Sequence, residues 1–414
     1  MGSRSRMVVI ATACTAACLL ASCSSNSSSP TTTGAPGATS TTVSSTPFNV
    51  LAVVAETGPL AAINTAEMQG LKGAAAYINA NGGIIGHKVV VTEVNDNLDP
   101  TTAASDLEQA ISSGTLPNLV FAGSTSNETL AMVPILNAHK LLSIQLTTSA
   151  QTIDPSKYPD AFTVASSTAN ESATLAAAVK SEYPKAKKVG ILIGNDVNGT
   201  SLMDGEKAAL VADGFQVVVQ TYDPTTTIDM TPQLEALKAE SPQVLVASGF
   251  GAVAGYILEG RTKIGWNVPV VGDASFSANP IASMVPKADL NGVVVATDKT
   301  AIYQPPSTWT PAFKTFIQYT KAQGAKFTQG IGIYSLAWDV LILAKMAGTQ
   351  ANSVDSSAMV SALQSLKQPA QPQYVSFPVE AYSPTLHSTN PSPSLATVAS
   401  VYLKMGEFMP VGSS

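Results

Sequence analysis

The fold is decided by residues 57–100. The stretch opens with Thr57-Gly58-Pro59-Leu60 and runs through an apolar-periodic segment to Ile78-Asn79. It then turns at Gly82-Gly83-Ile84-Ile85-Gly86-His87-Lys88 and closes with Asn95-Asp96-Asn97-Leu98-Asp99-Pro100. Met68, Leu71, Ala75 and Ile78 recur at spacings of 3, 4 and 3, which predicts one helix from Thr65 to Asn81. Gly82-Gly83 is its C-terminal stop, because glycine enters the left-handed conformation that ends a helix without steric cost. β-rich apolar runs flank it, Asn49–Val54 before and Lys88–Val94 after. The stretch therefore reads as a strand–loop–helix–turn–strand unit.

Working outward, the same rhythm continues. Strands are predicted at Asn118–Ala122 and Leu141–Leu146, and then, after a break at Ala165-Ser166-Ser167, at Lys188–Ile193, Gln216–Thr221, Gln243–Ala247, Val268–Val271 and Gly292–Ala296. Helical patterns lie between them. Alternation of this kind implies parallel sheets covered by helices on both faces, and its occurring twice implies two doubly wound α/β lobes. From Thr297–Pro306 helices take over, at Pro311–Gln323, Ile331–Ala347 and Ser356–Leu366; a Pro-rich stretch from Pro369 to Pro393 precedes a last strand, Ala399–Lys404. The expected domains are lobe one at 48–166 and 299–374, and lobe two at 167–298 and 375–414.

The 414 residues suit two domains, and 45% hydrophobic content supplies their cores. Only 12% of residues are charged and the net charge is -6, which excludes a basic nucleic-acid footprint and charge-driven binding to an anionic membrane. The N-terminus offers another route to a membrane. Arg4 and Arg6 precede an apolar run, Met7 to Ala21, too short for a comfortable span and suited to a secretory signal over residues 1–22. It ends in Leu20-Ala21-Ser22-Cys23, which resembles the lipobox of bacterial lipoproteins. That resemblance implies cleavage before Cys23 and a lipid on it. From Ser24 to Pro47 nearly every residue is Ser, Thr, Pro or Gly, a composition that buries no core and reads as a disordered tether over 23–47. Its r.m.s. reach as a flexible coil is on the order of 25–30 Å. Cys14 and Cys18 lie in the removed segment, so the mature chain has no disulfide framework and no cysteine metal site.

Ligands of open parallel sheets bind outside the carboxyl ends of the strands. The segments there are Thr57–Asn64, Asn95–Asp99, Gly123–Glu128 and Thr147–Gln151 in lobe one, and Asn195–Thr200, Tyr222–Asp223, Gly249–Gly251 and Asp273–Ser277 in lobe two. They are rich in small hydroxyls, amides and glycine, as expected of two rims that face each other across a polar hinged cleft. Ser126 precedes the predicted helix Thr129–Ala138; it reads either as a plain N-cap or as a hydroxyl beside free backbone N–H groups that suits a carboxylate. Thr147-Thr148-Ser149 reads either as a turn or as a second hydroxyl site. Asp273 reads as a capping residue or as the partner of a ligand ammonium. Phe250, in Gly249-Phe250-Gly251-Ala252-Val253-Ala254-Gly255, reads as core or as an aromatic wall; the glycines approach a dinucleotide fingerprint but carry one residue too many. Tyr334 and Trp338, four apart, read as a core face, with Asp339 structural. Among enzyme signatures, the nucleophile elbow, the P-loop and the zincin helix are absent, and His87, His139 and His387 are scattered. Neither a catalytic residue nor a metal or other cofactor is expected.

Together the segments resemble the Leu/Ile/Val-binding family, the solute-binding lipoproteins of branched-chain amino acid ABC transporters with the type I periplasmic binding protein fold. The likeness runs from about Phe48 to Leu366. It rests on Thr57-Gly58-Pro59, Ile78-Asn79 with Gly82-Gly83-Ile84 and Gly86, Asn95-Asp96 with Asp99-Pro100, and Ser126-Asn127-Glu128-Thr129-Leu130-Ala131. The resemblance implies two lobes joined by a three-segment hinge that close on a ligand. It implies that Ser126 and Thr148 bind that ligand, with Leu146 and Thr147 supplying backbone groups. Three positions depart from the family pattern. Ile63 stands where an aromatic is common in the loop after the first strand, Asn198 where a Tyr is common before Gly199, and Ala274 at the expected acid, with Asp273 its possible substitute. The expected function is an extracytoplasmic, lipid-anchored, monomeric receptor that captures a small polar solute and hands it to an ABC permease and its ATPase. The alternatives are a ligand sensor for a membrane signalling protein, or an exported enzyme.

Overall fold

The computed structural model describes residues 44–123, 125–273, 276, 281, 285–290, 292–297, 301–377, 381–389, 396–398 and 407. The expected signal segment, Cys23, Ala274 and the strand expected at Ala399–Lys404 lie outside the described residues. The first sheet holds β1 (Phe48–Val54), β2 (Val89–Asn95), β3 (Leu119–Ala122), β4 (Ser143–Gln145) and β5 (Ala161–Thr163), all parallel, in the order β2-β1-β3-β4-β5. The second holds β6 (Lys188–Gly194), β7 (Gln216–Tyr222), β8 (Val244–Ala247), β9 (Val270–Gly272) and β10 (Val293–Thr297), also parallel, with an antiparallel edge strand β11 (Ala396–Val398) beyond β10.

Position in the sheet explains each strand's sequence. The inner strands β3, β8 and β9 are buried at every residue, and β1 at all but one, so they read as unbroken apolar runs. The edge strands β2 and β7 are more exposed, and in β2 burial alternates from Val89 to Glu93. The sequence reading did not anticipate β5. Three residues after a turn carry too short an apolar run to announce a strand, and only pairing with β4 reveals it.

Helices α1 (Ala61–Ala80), α2 (Pro100–Ser112), α3 (Ser126–His139), α4 (Thr168–Glu182), α5 (Val197–Ala212), α6 (Thr231–Ala239) and α7 (Val253–Lys263) follow their strands. α8 (Pro311–Ala322), α9 (Ile331–Ala351) and α10 (Ser356–Leu363) pack back on lobe one. α1 begins four residues before the expected Thr65, because the 3-10 turn Gly58–Leu60 runs straight into it. It stops as expected, with Gly82 and Gly83 at φ 86° and 74°. α1 also lies directly against the C-terminal helices. A Cβ on Gly70 would stand 2.1 Å from the Tyr334 carbonyl oxygen on α9, so only glycine fits there. α9 is long and apolar enough to cross a membrane by length and composition, but it is the central core helix of lobe one: Tyr334 and Trp338 are buried as expected, and Leu341, Ile342 and Leu343 with them.

The chain passes between the lobes three times, at 165–168, between Thr297 and Trp309, and between Thr389 and Ala396. The first and third crossings pair through a bridge between Ser166 and Thr389 and a 2.9 Å bond from Thr389 Oγ1 to the Ala165 carbonyl. Two expected boundaries move. Lobe two does not resume at residue 375. The buried Asp339 carboxylate accepts from the Val375 and Ser376 N–H groups, each at 2.8 Å, Val375 and Tyr382 lie in the lobe-one core, and His387 stacks on Phe162 at 4.0 Å. The Pro-rich stretch is thus a strap on lobe one through Thr389. The tether also ends before Pro47: Ser44 N–H donates to the Gly86 carbonyl at 3.0 Å, and His87 Nδ1 bonds the Thr46 carbonyl at 2.8 Å.

Candidate functional site

In each sheet the strand order reverses beside the first strand, between β1 and β3 in lobe one and between β6 and β8 in lobe two. A crevice opens at such a switch point, because the connections on either side leave in opposite directions. The loops after β3 and β4 of lobe one meet the start of α5 after β6 of lobe two. Thr148 Oγ1 donates to Asn198 Oδ1 at 2.5 Å, Ser149 and Ser201 hydroxyls lie 3.2 Å apart, and the Val197 N–H at the start of α5 donates to Asn127 Oδ1 at 3.3 Å. Gly251, after β8, comes against Leu60 and Ile63; a Cβ there would lie 3.4 and 3.6 Å from their methyl carbons. The cleft is closed on hydroxyls, amides and one apolar contact.

On the lobe-one side, Ser126 is buried, but it does not cap α3. Thr125 caps it, accepting from the Asn127 N–H at 3.3 Å, while Glu128 reaches back to the Thr125 N–H at 3.0 Å and to the Thr125 hydroxyl. The capping box removes the plain-cap reading of Ser126 and leaves its hydroxyl at the N-terminal turn, where backbone N–H groups and the helix dipole favour an anion. Burial outweighs these bonds and raises the Glu128 carboxyl above its usual range. Thr147 turns its hydroxyl inward to Thr152 at 3.3 Å, which leaves its backbone groups at the rim beside half-buried Leu146. Thr148 and Ser149 face the other lobe. Ile63 is not in the loop after β1 but in the first turn of α1, buried against lobe two.

On the lobe-two side, Asn198 lies in the first turn of α5, behind the Asp196 cap that accepts from the Gly199 N–H at 2.8 Å. Burial holds the Asp196 carboxyl above its usual value. Asp273 is buried at the carboxyl end of β9. Tyr222, buried at the end of β7, donates to the Ser248 carbonyl at 2.5 Å; burial, then the charges of Asp273 and Asp196, drive its pKa upward. Phe250 is 42% exposed, on the rim and not in the core, so the core reading fails, and Gly251 beside it makes the contact across the cleft. Sequence reasoning missed Ser149, Ser201 and Asn127 as inter-lobe contacts, since a small polar residue in a rim loop carries no mark of what it will face. It also missed Glu206, which lies on the buried face of α5 with Gly199, Leu202 and Leu210. Elsewhere, a hollow of about 410 Å³ lined by Tyr183, Lys185, Gln243 and Val244 opens at the amino ends of β6 and β8, the wrong end of the sheet for such a ligand.

Residues 47–379 match the family model of the periplasmic binding proteins, and the chain belongs to that family. A Leu/Ile/Val-binding protein homolog 3 of Brucella melitensis is 25% identical over 310 residues, 74% of this chain and 79% of the relative. Curated relatives of this kind are overlapped over 66–79% of their own length. Among solved structures, the branched-chain amino acid transporter substrate binding protein LivJ of Streptococcus pneumoniae, in complex with isoleucine, superposes with a TM-score of 0.71 at 18% identity, covering 87% of this chain and 97% of LivJ. A fatty acid ABC transporter substrate-binding protein of Thermomonospora curvata superposes with a TM-score of 0.71 at 16% identity, covering 86% and 88%. At these identities the superpositions establish the two-lobed fold. The family is one of binding proteins and not of enzymes, works outside the cytoplasm, takes small-molecule ligands and operates with ABC transporters.

Proposed function

We propose that this protein is a lipid-anchored receptor that closes its two lobes on a small polar solute, an amino acid or a related amide or carboxylate, and delivers it to an ABC permease. The observation that carries this reading is the meeting of the two rims through Thr148–Asn198, Ser149–Ser201 and Asn127–Val197. Direct bonds between side chains at the strand carboxyl ends make a closed state that a ligand favours only as far as it binds that state better than the open one. The hydroxyls of Ser126 and Thr148, at a helix N-terminus and opposite Asn198, suit a ligand carboxylate or amide oxygen. Lipid on Cys23 and a short tether would keep the receptor at the membrane beside its permease. Relatives of one fold bind solutes as different as isoleucine and a fatty acid by the names they carry, so the ligand is argued from the rim residues and not from the fold.

The test is thermal stability of the full chain against amino acids, amides, small carboxylates and sugars. A ligand at about 100 times its Kd should stabilise the folded state by about 2.7 kcal/mol. A shift with one of these classes, with the solute recovered unaltered, is the expected result. Absence of any shift across all four classes, or chemical turnover of a bound solute, overturns the receptor reading.

A further inference from the structure

Lobe one carries a hollow that shares no residue with the bonds closing the cleft. It measures about 200 Å³ and lies where α1 meets the loop between α8 and α9. Ala62, Thr65, Ala66 and Gln69, at helical spacing along one face of α1, form one side. Gly324, Lys326 and Thr328 of the loop, with Tyr334 of α9, form the other. Every one of these residues belongs to lobe one, so the hollow keeps its walls whether the cleft is open or closed.

The loop is held in a conformation that costs energy. Phe327 has φ 50°, in the left-handed region that a bulky side chain rarely adopts. Its ring is buried, with its centroid 6.1 Å from that of Phe316 and 4.9 Å from that of Tyr334. With Phe327 anchored inward, its exposed neighbours Lys326 and Thr328 both line the hollow. Strain of this kind persists where the surrounding packing over-determines it, and it clusters at ligand sites. A Cβ on Gly324 would lie 3.8 Å from Gln69 Nε2, which places that amide at the loop.

The polar groups gathered there are donors. The Lys326 ammonium forms no ion pair among the described residues. Burial raises the Tyr334 phenol above its usual pKa, so it stays a hydroxyl. Gln69 adds an amide N–H2 and Thr328 a second hydroxyl, while Thr65 spends its own proton on the Ala61 carbonyl at 2.8 Å. No Asp or Glu lines the hollow. Glu67, the one acid of α1, is buried outside it, and burial followed by the Asp96 charge raises its carboxyl to about 8.

We propose that this hollow is a second binding site, for a small oxyanion, a carboxylate or a phosphate, held by the Lys326 ammonium with the Gln69 amide and the Thr328 and Tyr334 hydroxyls. One cation among several neutral donors matches the charge and the acceptor oxygens of such an ion. Ligand pockets commonly run from about 300 to 1,000 Å³, so the smaller volume admits a group of a few atoms. The site goes beyond the receptor reading: its occupant ties α1 to the loop and does not compete with the solute in the cleft.

The test is thermal melting of the full chain in sodium acetate and in sodium phosphate, each against sodium chloride at equal ionic strength and neutral pH. The expected result is a saturating rise in melting temperature with acetate or phosphate that chloride does not reproduce, and the salt that acts identifies the oxyanion. Lys326→Gln, a change at an exposed position, should weaken that binding about tenfold or more, while Lys326→Arg, which keeps the charge, retains it. Ser126→Ala separates this site from the cleft, where a carboxylate also has a place, and the rise should persist in that chain. The inference is overturned if neither oxyanion stabilises beyond chloride, or if Lys326→Gln responds as the unaltered chain does. It is overturned as well, with the receptor reading intact, if Ser126→Ala loses the response and Lys326→Gln keeps it, since the anion then sits in the cleft. A response that depends on Lys326 supports the site even where no solute of the screen binds the cleft.

Discussion

The lobe-one wall of the cleft is built from hydroxyls that have partners, whereas the lobe-two wall holds a carboxyl that has none. Thr147 bonds Thr152, Thr148 bonds Asn198, and Ser149 meets Ser201. In lobe two the Glu206 carboxyl is buried, with the Ser248 hydroxyl as the polar group beside it. Lobe one has its own buried acids, Glu67 and Asp96, each leaving one oxygen unpartnered, but Asp96 spends its other oxygen on the Leu98 N–H of its own turn at 2.9 Å. A partnered hydroxyl is buried at little cost, while an unpartnered carboxyl is costly in either protonation state. Lobe two therefore carries a burial cost at Glu206 that the partnered hydroxyls of lobe one avoid.

The contrast extends to the cores. Every aromatic pair among the described residues lies in lobe one, around Tyr77, Phe316, Phe327, Tyr334 and Trp338, or at Phe162 with Tyr382 and His387. Lobe two fills both faces of its sheet with mostly aliphatic clusters, with Tyr222, Phe276 and Phe215 among them. Helices in lobe one meet at backbone distance, through Gly70 against α9 and Gly73 against Thr320 of α8. In lobe two the tightest helix pair, α4 with α5, meets through the Ser172 hydroxyl at Gly205.

The largest expected effect breaks that contrast at its strongest point. Gly70→Ala should destabilise the protein by about 3 kcal/mol or more, because the new methyl meets a backbone carbonyl that cannot move. Gly205→Ala should cost less, about 1–2 kcal/mol: the new methyl meets the Ser172 hydroxyl, which can rotate at the loss of its bond to the Leu202 carbonyl, and the Ser172 Cβ at 2.9 Å, which must shift, but no backbone carbonyl. Denaturant melts of the two variants compare them directly, and equal losses would mean the lobes are packed alike.

Next come the hydroxyls. Ser126→Ala and Thr148→Ala should each weaken binding of whichever solute the screen identifies by about tenfold, the worth of a hydrogen bond to a charged group, and leave the melting temperature of the empty protein unchanged. Unchanged affinity in both would dissolve the lobe-one half of the site.

A smaller effect is read through pH. Burial raises Asp96 to about 6, Asp339 to about 7 and, with the Asp96 charge, Glu67 to about 8 in the folded chain. Unfolded, these acids titrate near 4, so between about pH 4 and 8 the folded state holds more protons and stability falls as pH rises. Exposed acids held low by local bonds, such as Asp229 at about 2, act in the opposite sense and only below about pH 4. The empty protein should thus melt highest near pH 5 and lower at pH 8, and Glu67→Gln should flatten the slope. A melting temperature that rises over this range would show that these acids have partners in solution. The smallest expected effect is at Phe250. Exposed on the rim, its replacement by Ser should change stability by no more than about 0.5 kcal/mol and affinity less than about twofold, checked by the same melts and titrations.

The sequence by itself determined the scaffold. Apolar β-rich runs, helical periodicity between them and the Gly82-Gly83 stop are local properties, so the two doubly wound lobes and their strand ends were legible without coordinates. The strand-end rule placed Ser126, Thr148 and Asp273 on the rims for the same reason. What only tertiary structure decided depends on partners far away in the chain. Thr125 and not Ser126 caps α3 because Glu128 reaches back to it, β5 exists because β4 is beside it, and residues 375–389 stay on lobe one because Asp339 holds their backbone. Glu206 is the sharpest case. In sequence it is one more acid on a helix. Only the burial of that helix face, with Leu202 and Leu210, removes its water and pushes its pKa well above the usual carboxylate range.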